Sequence, residues 1–336
     1  MTGSRSALTI WLAAVLAACS TGPNWLAPDD RTTAPRASTN ASTLEFVGFW
    51  ESWSDTNAQD GFHRLTGVPA GVTTTDVAFS IADSNAISPP QNTYPLGPGA
   101  RHIHAEGGKL LLSFGGATSS FNITDPNLFA KNLKGYVRAH HALYDGFDLD
   151  DEVIPMNGQQ QLIDVLLAVR KAFPTAMVSF DGFIDGADPG PPSGHQGEDT
   201  AIIAQAGSAI DYVNVMAYDE YGWKPTNYPN CSYQQGSQDD CRVDVLRQFA
   251  AIKMPNGQYF PKSKIVLRLM IGQADDGVVV TPQDAAGYGR DVVRSGYHGI
   301  MIWDLDRDNP QAPPNGTGHP KGTYVRAISK SLGTGP

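Results

Sequence analysis

Between Tyr144 and Glu152 the chain reads Tyr-Asp-Gly-Phe-Asp-Leu-Asp-Asp-Glu, with acids at every second position of a segment that otherwise has the pattern of a strand. Extended backbone alternates its side chains, so Asp148, Asp150 and Glu152 share one face, about 6 to 7 Å apart at successive Cα pairs, and Phe147 and Leu149 take the other. Asp and Glu are weak strand formers, and stacked like charges repel. A row of buried carboxylates costs several kcal/mol per unpaired charge, so it persists only where its members share protons or bind something. A solvated acidic strand end is the bland alternative, and metal binding is a competing use. No histidine stands near the row in sequence, although a distant strand could bring one. Proton sharing suits acid catalysis, because a carboxyl raised by a like-charged neighbour stays protonated near neutral pH. Glu152, the outermost of the three, is then the donor.

The rest of the chain predicts a frame for that row. Short β-rich runs at 44–50, 76–81, 109–113, 144–150, 176–181, 211–217, 264–271 and 299–303 alternate with segments of helical period. Asp125 and Pro126 open one helix running to about residue 141, and Thr281 and Pro282 open another ending near residue 295. Residues 159–173 carry Leu162, Val165, Leu166 and Val169 at helical spacing and stop at Pro174, and a last helix spans 324–332. Eight βα units in the part of this 336-residue chain that follows residue 43 predict an α/β fold, a single-domain (β/α)8 TIM barrel with its active site at the C-terminal ends of the strands. A doubly wound open sheet is the alternative, but no Gly-rich dinucleotide turn follows the first strand. Domain boundaries are expected at 1–19 for a signal segment, 20–43 for a tether and 44–336 for the barrel.

Arg5 followed by the apolar run 7–18 has the form of a secretion signal. Leu16-Ala17-Ala18-Cys19 resembles a bacterial lipobox, in which the cysteine is lipidated; an ordinary signal peptide with a chance cysteine is the alternative. Residues 20–43 are rich in Ser, Thr, Pro, Ala and Asn, too poor in apolar groups to repay ordering. An extracytoplasmic site follows, as a cell-envelope lipoprotein or a secreted protein, with membrane contact through the N-terminal lipid alone. Export permits disulfides, and Cys231 and Cys241 are placed to close a short loop, free thiols being the alternative.

The acidic row resembles the fourth-strand signature of glycoside hydrolase family 18, the chitinase family: Asp-Gly-x-Asp-x-Asp-x-Glu. Asp145, Gly146, Asp148, Asp150 and Glu152 match each specified position. Ser113-Phe114-Gly115-Gly116 is similar to the Ser-x-Gly-Gly of the third strand, Met216-Ala217-Tyr218-Asp219 to the Met-x-Tyr-Asp of the sixth, and Trp303 to the tryptophan ending the eighth. The resemblance runs from about Leu44 to the end of the chain. It implies a glycosidase that cleaves β-1,4 N-acetylglucosamine linkages with retention, the substrate's own acetamido group attacking the anomeric carbon. Glu152 would protonate the glycosidic oxygen, Asp150 would orient the acetamido group, Asp148 would tune Asp150, and Tyr218 would hydrogen-bond the acetamido oxygen. Asp219, Met216, Gly115 and Gly116 would help bind the sugar, over a floor formed by Trp303.

Aromatic residues near the strand ends, Trp50, Trp53, Tyr221 and Trp223, are candidates to line further sugar subsites. Asn214 stands where many family members have glutamine. Asp151 is similar to the acid found there in endo-β-N-acetylglucosaminidases of the family, whereas Met-x-Tyr-Asp favours chitinases. The stretch between the seventh and eighth strands is too short for the extra α+β domain of some chitinases, which predicts an open groove and endo cleavage. A lectin-like binding protein on the same barrel is the rival from another class; such relatives lose the acid, and Glu152 is present. With 34 Asp and Glu against 24 Lys and Arg, the chain offers no basic patch for nucleic acid. No cofactor and no metal are expected, the histidines complete no ligand set, and the expected partner of this monomer is chitin or another N-acetylglucosamine glycan.

Overall fold

The computed structural model describes residues 44–54, 62, 64–92, 95–118, 121–140, 143–150, 152, 158–190, 195–220, 223–228, 230, 231 and 241–335. Cys19, the tether, Asp151 and Tyr221 lie outside the described residues. Eight strands form a closed parallel barrel: β1 (Glu45–Glu51), β2 (Thr74–Asp83), β3 (Lys109–Gly115), β4 (Gly146–Asp150), β5 (Met177–Phe183), β6 (Tyr212–Met216), β7 (Ile265–Met270) and β8 (Gly299–Trp303). Each pairs with its successor, and β8 returns to β1 with Glu45 opposite Gly299. All eight strands coincide with the runs read from the sequence.

Outside the barrel lie α1 (Leu96–Ala105), α2 (Pro126–Ala139), α3 (Gln159–Ala172), α4 (Glu198–Ala206), α5 (Arg242–Ala250), α6 (Pro282–Ser295) and α7 (Thr323–Leu332). Asp125 caps α2 by accepting the amides of Asn127 and Leu128, each at 3.0 Å, and Thr281 with Asp284 forms a reciprocal capping box on α6. One unit departs from the expected eight. Among the described residues no α-helix joins β1 to β2, only 3-10 turns at Ser52–Ser54 and Leu65–Gly67. Pro69, without an amide donor, and Gly67 and Gly71, costly to order, explain why helix does not propagate there.

Strand alternation sorts the apolar residues into two cores. Val47, Phe49, Ala78, Tyr212, Val266 and Met301 pack inside the barrel. Phe46, Trp50, Phe147, Leu149, Val213 and Val215 point outward under the helices, where Phe147 meets Phe173 at the end of α3. Between β7 and β8 there is only a short hairpin, Gly272–Gln273 against Val279–Val280, followed by α6. The barrel therefore carries no insertion domain at this point.

Candidate active site

Pairing in register sets the acidic row deep in the barrel. Asp148 lies opposite Ser113 on β3 and Ser179 on β5, and both hydroxyls donate to it, at 2.7 and 2.6 Å. Burial, followed by the charge of Asp150, raises the Asp148 carboxyl, and the two serine hydroxyls oppose the rise. Asp150, wholly buried, faces β7, where the Nη1 of Arg268 lies 3.3 Å from each of its carboxylate oxygens. Glu152 follows just beyond the strand, partly open to a cleft. Its carboxyl is pushed up to about 8, by burial first, then by the charge of Asp150 and a hydrogen bond with it, against the lowering effect of Arg268. The alternation read from the sequence thus yields a buried hydrogen-bonded acid, an ion-paired acid and an outermost proton-bearing acid.

Asp145, the first acid of the motif, lies below this row. It pairs with His104 of α1 at 2.8 Å and accepts the amide of Leu110 at 2.9 Å, fastening the start of β4 to its neighbours.

The cleft at the C-terminal ends of the strands is lined by Trp53, Phe79, Glu152, Tyr218, Asp219, Arg268 and Trp303, with Ile81, Gln91, Ala117, Thr118, Met270 and Asp275 completing it. Trp303 stacks on Phe79 at 5.8 Å with ring planes 13° apart and takes Phe49 edge-on at 5.2 Å. Trp53 continues the aromatic wall and is 42 % exposed. Burial, together with the charges of Glu152 and Asp150, raises the Tyr218 phenol, which remains a hydrogen-bond donor at neutral pH. Asp219 adopts a left-handed backbone at φ 60 and accepts the amide of Asp276 at 3.0 Å.

Gly115 and Gly116 end β3 with φ of 111 and 83. The Gly116 amide donates to the carbonyl of Asp150 at 2.7 Å, and a Cβ at Gly116 would come within 2.5 Å of the Phe79 ring. These glycines shape the wall from behind. Met216 is buried on the inward face of β6, beside Phe183 of β5.

One aromatic expectation needs correction. Trp50 does not line the cleft: Phe49 takes the inward position on β1, so Trp50 turns outward into the core between sheet and helices. Trp223 is half-buried and packs against that same outer core. Cys231 and Cys241 are joined as a disulfide across Cα atoms 5.6 Å apart, bracing the segment between β6 and α5.

Two residues lining the cleft escaped the sequence reading, Phe79 and Arg268. Phe79 sits on β2 in the aromatic wall. Arg268, from the middle of apolar β7, pairs with Asp150 and with Asp181 of β5 at 3.1 Å, and lies 3.8 Å from Glu152. Among the described residues, one acidic group could hold a metal ion: Glu51, Asp304 and Asp306, whose ligand atoms lie within 4.8 Å of one another. Glu51 is raised to about 10 and Asp304 to about 7, chiefly by burial, so protons as well as the neighbouring Arg307 offset their repulsion.

The catalytic domain of a hyperthermophilic chitinase from Pyrococcus furiosus is similar in structure, with a TM-score of 0.64 at 20% identity over 88% of this chain and 98% of that one. Mutants of active domain 2 of a thermostable chitinase from the same organism, complexed with chito-oligosaccharides, match with the same figures, a TM-score of 0.64, 20% identity and shares of 88% and 98%. A GH18 chitinase from Pseudoalteromonas aurantia matches with a TM-score of 0.59 at 18% identity, over 85% of this chain and 99% of that one. At such identities the likeness is one of fold. No curated protein matches the chain by sequence. The sequence model of Glycosyl hydrolases family 18 matches residues 45–270, a span that holds seven of the eight strands and the whole acidic row. With Glu152 and Tyr218 on one cleft and Asp150 buried beside Glu152 in that frame, the chain belongs to family 18 of the glycosyl hydrolases.

Proposed function

We propose that the protein is a chitinase that hydrolyses β-1,4 N-acetylglucosamine linkages with substrate assistance and net retention. The observation that carries this reading is the place of Glu152, beside Asp150 at the mouth of an aromatic-walled cleft, where burial and that neighbouring charge push its carboxyl up to about 8. Such a group donates its proton to the glycosidic oxygen as the bond to the anomeric carbon breaks. The acetamido oxygen of the same sugar then bonds to that carbon, and the positive charge of the resulting oxazolinium ion is met by Asp150. Water attacks the anomeric carbon in the second step, gives its proton to Glu152, and restores the starting configuration. Family 18 departs in this way from glycosidases that use an enzymic carboxylate nucleophile. Trp303 and Trp53 offer ring faces to the apolar faces of the sugars. The short connection between β7 and β8 favours an endo mode on a polymer lying across the rim.

Glu152→Gln preserves shape but donates no proton. Turnover of chitooligosaccharides should fall by about 100-fold to 10,000-fold while sugar binding survives. Turnover near the wild-type level would sink the assignment. Early NMR spectra of the products test the second step: the β-anomer should appear first, and an oligosaccharide deacetylated at the reacting sugar should resist cleavage. Initial release of the α-anomer would exclude the acetamido route.

We also infer that the protein is exported and anchored through a lipid on Cys19, a reading supported by the Leu-Ala-Ala-Cys sequence and by the Cys231–Cys241 bridge. Mass spectrometry of the mature N-terminus tests it. A diacylated Cys19 is expected, and an unmodified terminus at any other residue refutes the anchor.

A further inference from the structure

Arg268 has no role in the chemistry set out above, yet it is the most confined cation among the described residues. Its side chain is 1% exposed. The guanidinium carbon lies 4.7 Å from the ring centre of Phe49, 5.5 Å from that of Tyr218 and 5.6 Å from that of Trp303. One edge reaches Asp150 and Asp181 through the same nitrogen, Nη1, at 3.3 and 3.1 Å, while Nη2 is directed toward Glu152 at 3.8 Å. A buried arginine is kept only where its neighbours offset the loss of water, and here two buried carboxylates from the adjacent strands β4 and β5 do so. An apolar residue would have filled the same space without that cost.

We propose that Arg268 is a positioning residue for this hydrolase: it fixes the Asp150 carboxylate between Asp148 and Glu152, and Asp181 holds Arg268 in place and offsets its charge. Asp148 and Asp150 are neighbours in one row, and without a cation their charges would drive the Asp150 carboxylate from its place. A guanidinium shared with Asp181 supplies the restraint. Asp181 faces the same guanidinium nitrogen as Asp150, so Arg268 is held from two strands at once. The planar, ring-enclosed guanidinium cannot be replaced by the single point charge of lysine.

The inference rests on Glu152 acting as the acid, so Glu152→Gln is assayed alongside. Arg268→Met, shown to be folded by circular dichroism, should lose about 100-fold in kcat on a chitooligosaccharide, as expected for a misplaced reacting group, with KM changed less than about threefold. Its alkaline limb should move to higher pH, since the cation that opposes proton retention on Glu152 is gone. Arg268→Lys keeps the charge, so its limb should stay where the wild-type limb lies while kcat recovers only in part. Asp181→Asn should lower kcat and, combined with Arg268→Met, add nothing further. Wild-type kcat in Arg268→Met or Arg268→Lys overturns the proposal, as does equal loss in both with an unmoved limb. If Arg268→Met does not fold, Arg268→Lys and Asp181→Asn decide: reduced kcat in both supports the proposal, and wild-type kcat in either overturns it. Should Glu152→Gln be inactive while Arg268→Met behaves as wild type, this inference alone fails; an active Glu152→Gln removes the reading beneath it.

Discussion

Glu152 keeps its proton to about pH 8 because burial withholds water from its carboxylate and Asp150 sets a like charge beside it. A general acid works only while protonated, so kcat should hold below that value and fall as pH rises through it. Asp150→Asn removes the like charge, and the alkaline limb of the residual activity should move to lower pH; a limb that stays put would show that Asp150 does not act on Glu152. At this scale the motif acids were legible because period-two alternation and the identity of the residues both point to one face. Arg268 was not, since one arginine in Ile-Val-Leu-Arg-Leu-Met gives no sign of its partner, 118 residues away in sequence. Trp50 was misplaced for a related reason: β1 is apolar on both faces, so its pattern does not say whether Phe49 or Trp50 turns inward.

The wall of the cleft depends on elements meeting closely, as where the end of β3 meets β2. At Gly116 a side chain would have to occupy φ 83 and enter the Phe79 ring, which stacks on Trp303. Gly116→Val should therefore lower stability by several degrees in Tm and reduce turnover, whereas an unchanged Tm and kcat would show that the ring yields freely. The disulfide is a second device of this kind. Opening it by Cys231→Ser should cost on the order of 2 to 3 kcal/mol by loop entropy. Denaturant melts of the oxidised and variant proteins measure the difference directly, and coincident curves would mean the bridge stabilises nothing. Strand positions were readable throughout, because a two-sided buried strand is a dense apolar run of limited length. The 3-10 turns found in place of an α-helix among the described residues between β1 and β2 were not, since barrel closure asks only that the connection span two adjacent strands, by whatever local conformation residues such as Pro69 and Gly71 permit.

Among the described residues, buried acids outnumber buried cations. Asp304 is raised to about 7, Glu152 and Glu220 to about 8, and Glu51 to about 10, all chiefly by burial. Each binds its proton more tightly in the folded chain than in the unfolded one, where ordinary values near 3.8 and 4.5 apply. Their contribution to stability is complete below those values and is lost as pH rises through the folded ones. Glu45, lowered despite its burial by Lys109 and hydrogen bonds, and His298, lowered by burial, act in the opposite sense. The raised acids outnumber them, so Tm should decline between about pH 5 and about pH 9. Calorimetry across that range tests the sign, and a Tm that climbs instead would contradict it. Closure of the barrel also bears on how the chain reaches this state. Glu45 finds its partner only at Gly299, so the first strand stays half-paired until nearly the whole polypeptide is available. Contacts of such long sequence separation slow the search for the native state. A ribosome-bound chain therefore retains two open sheet edges until its last strand emerges, and that interval is when it is most exposed to aggregation and most dependent on whatever shields those edges.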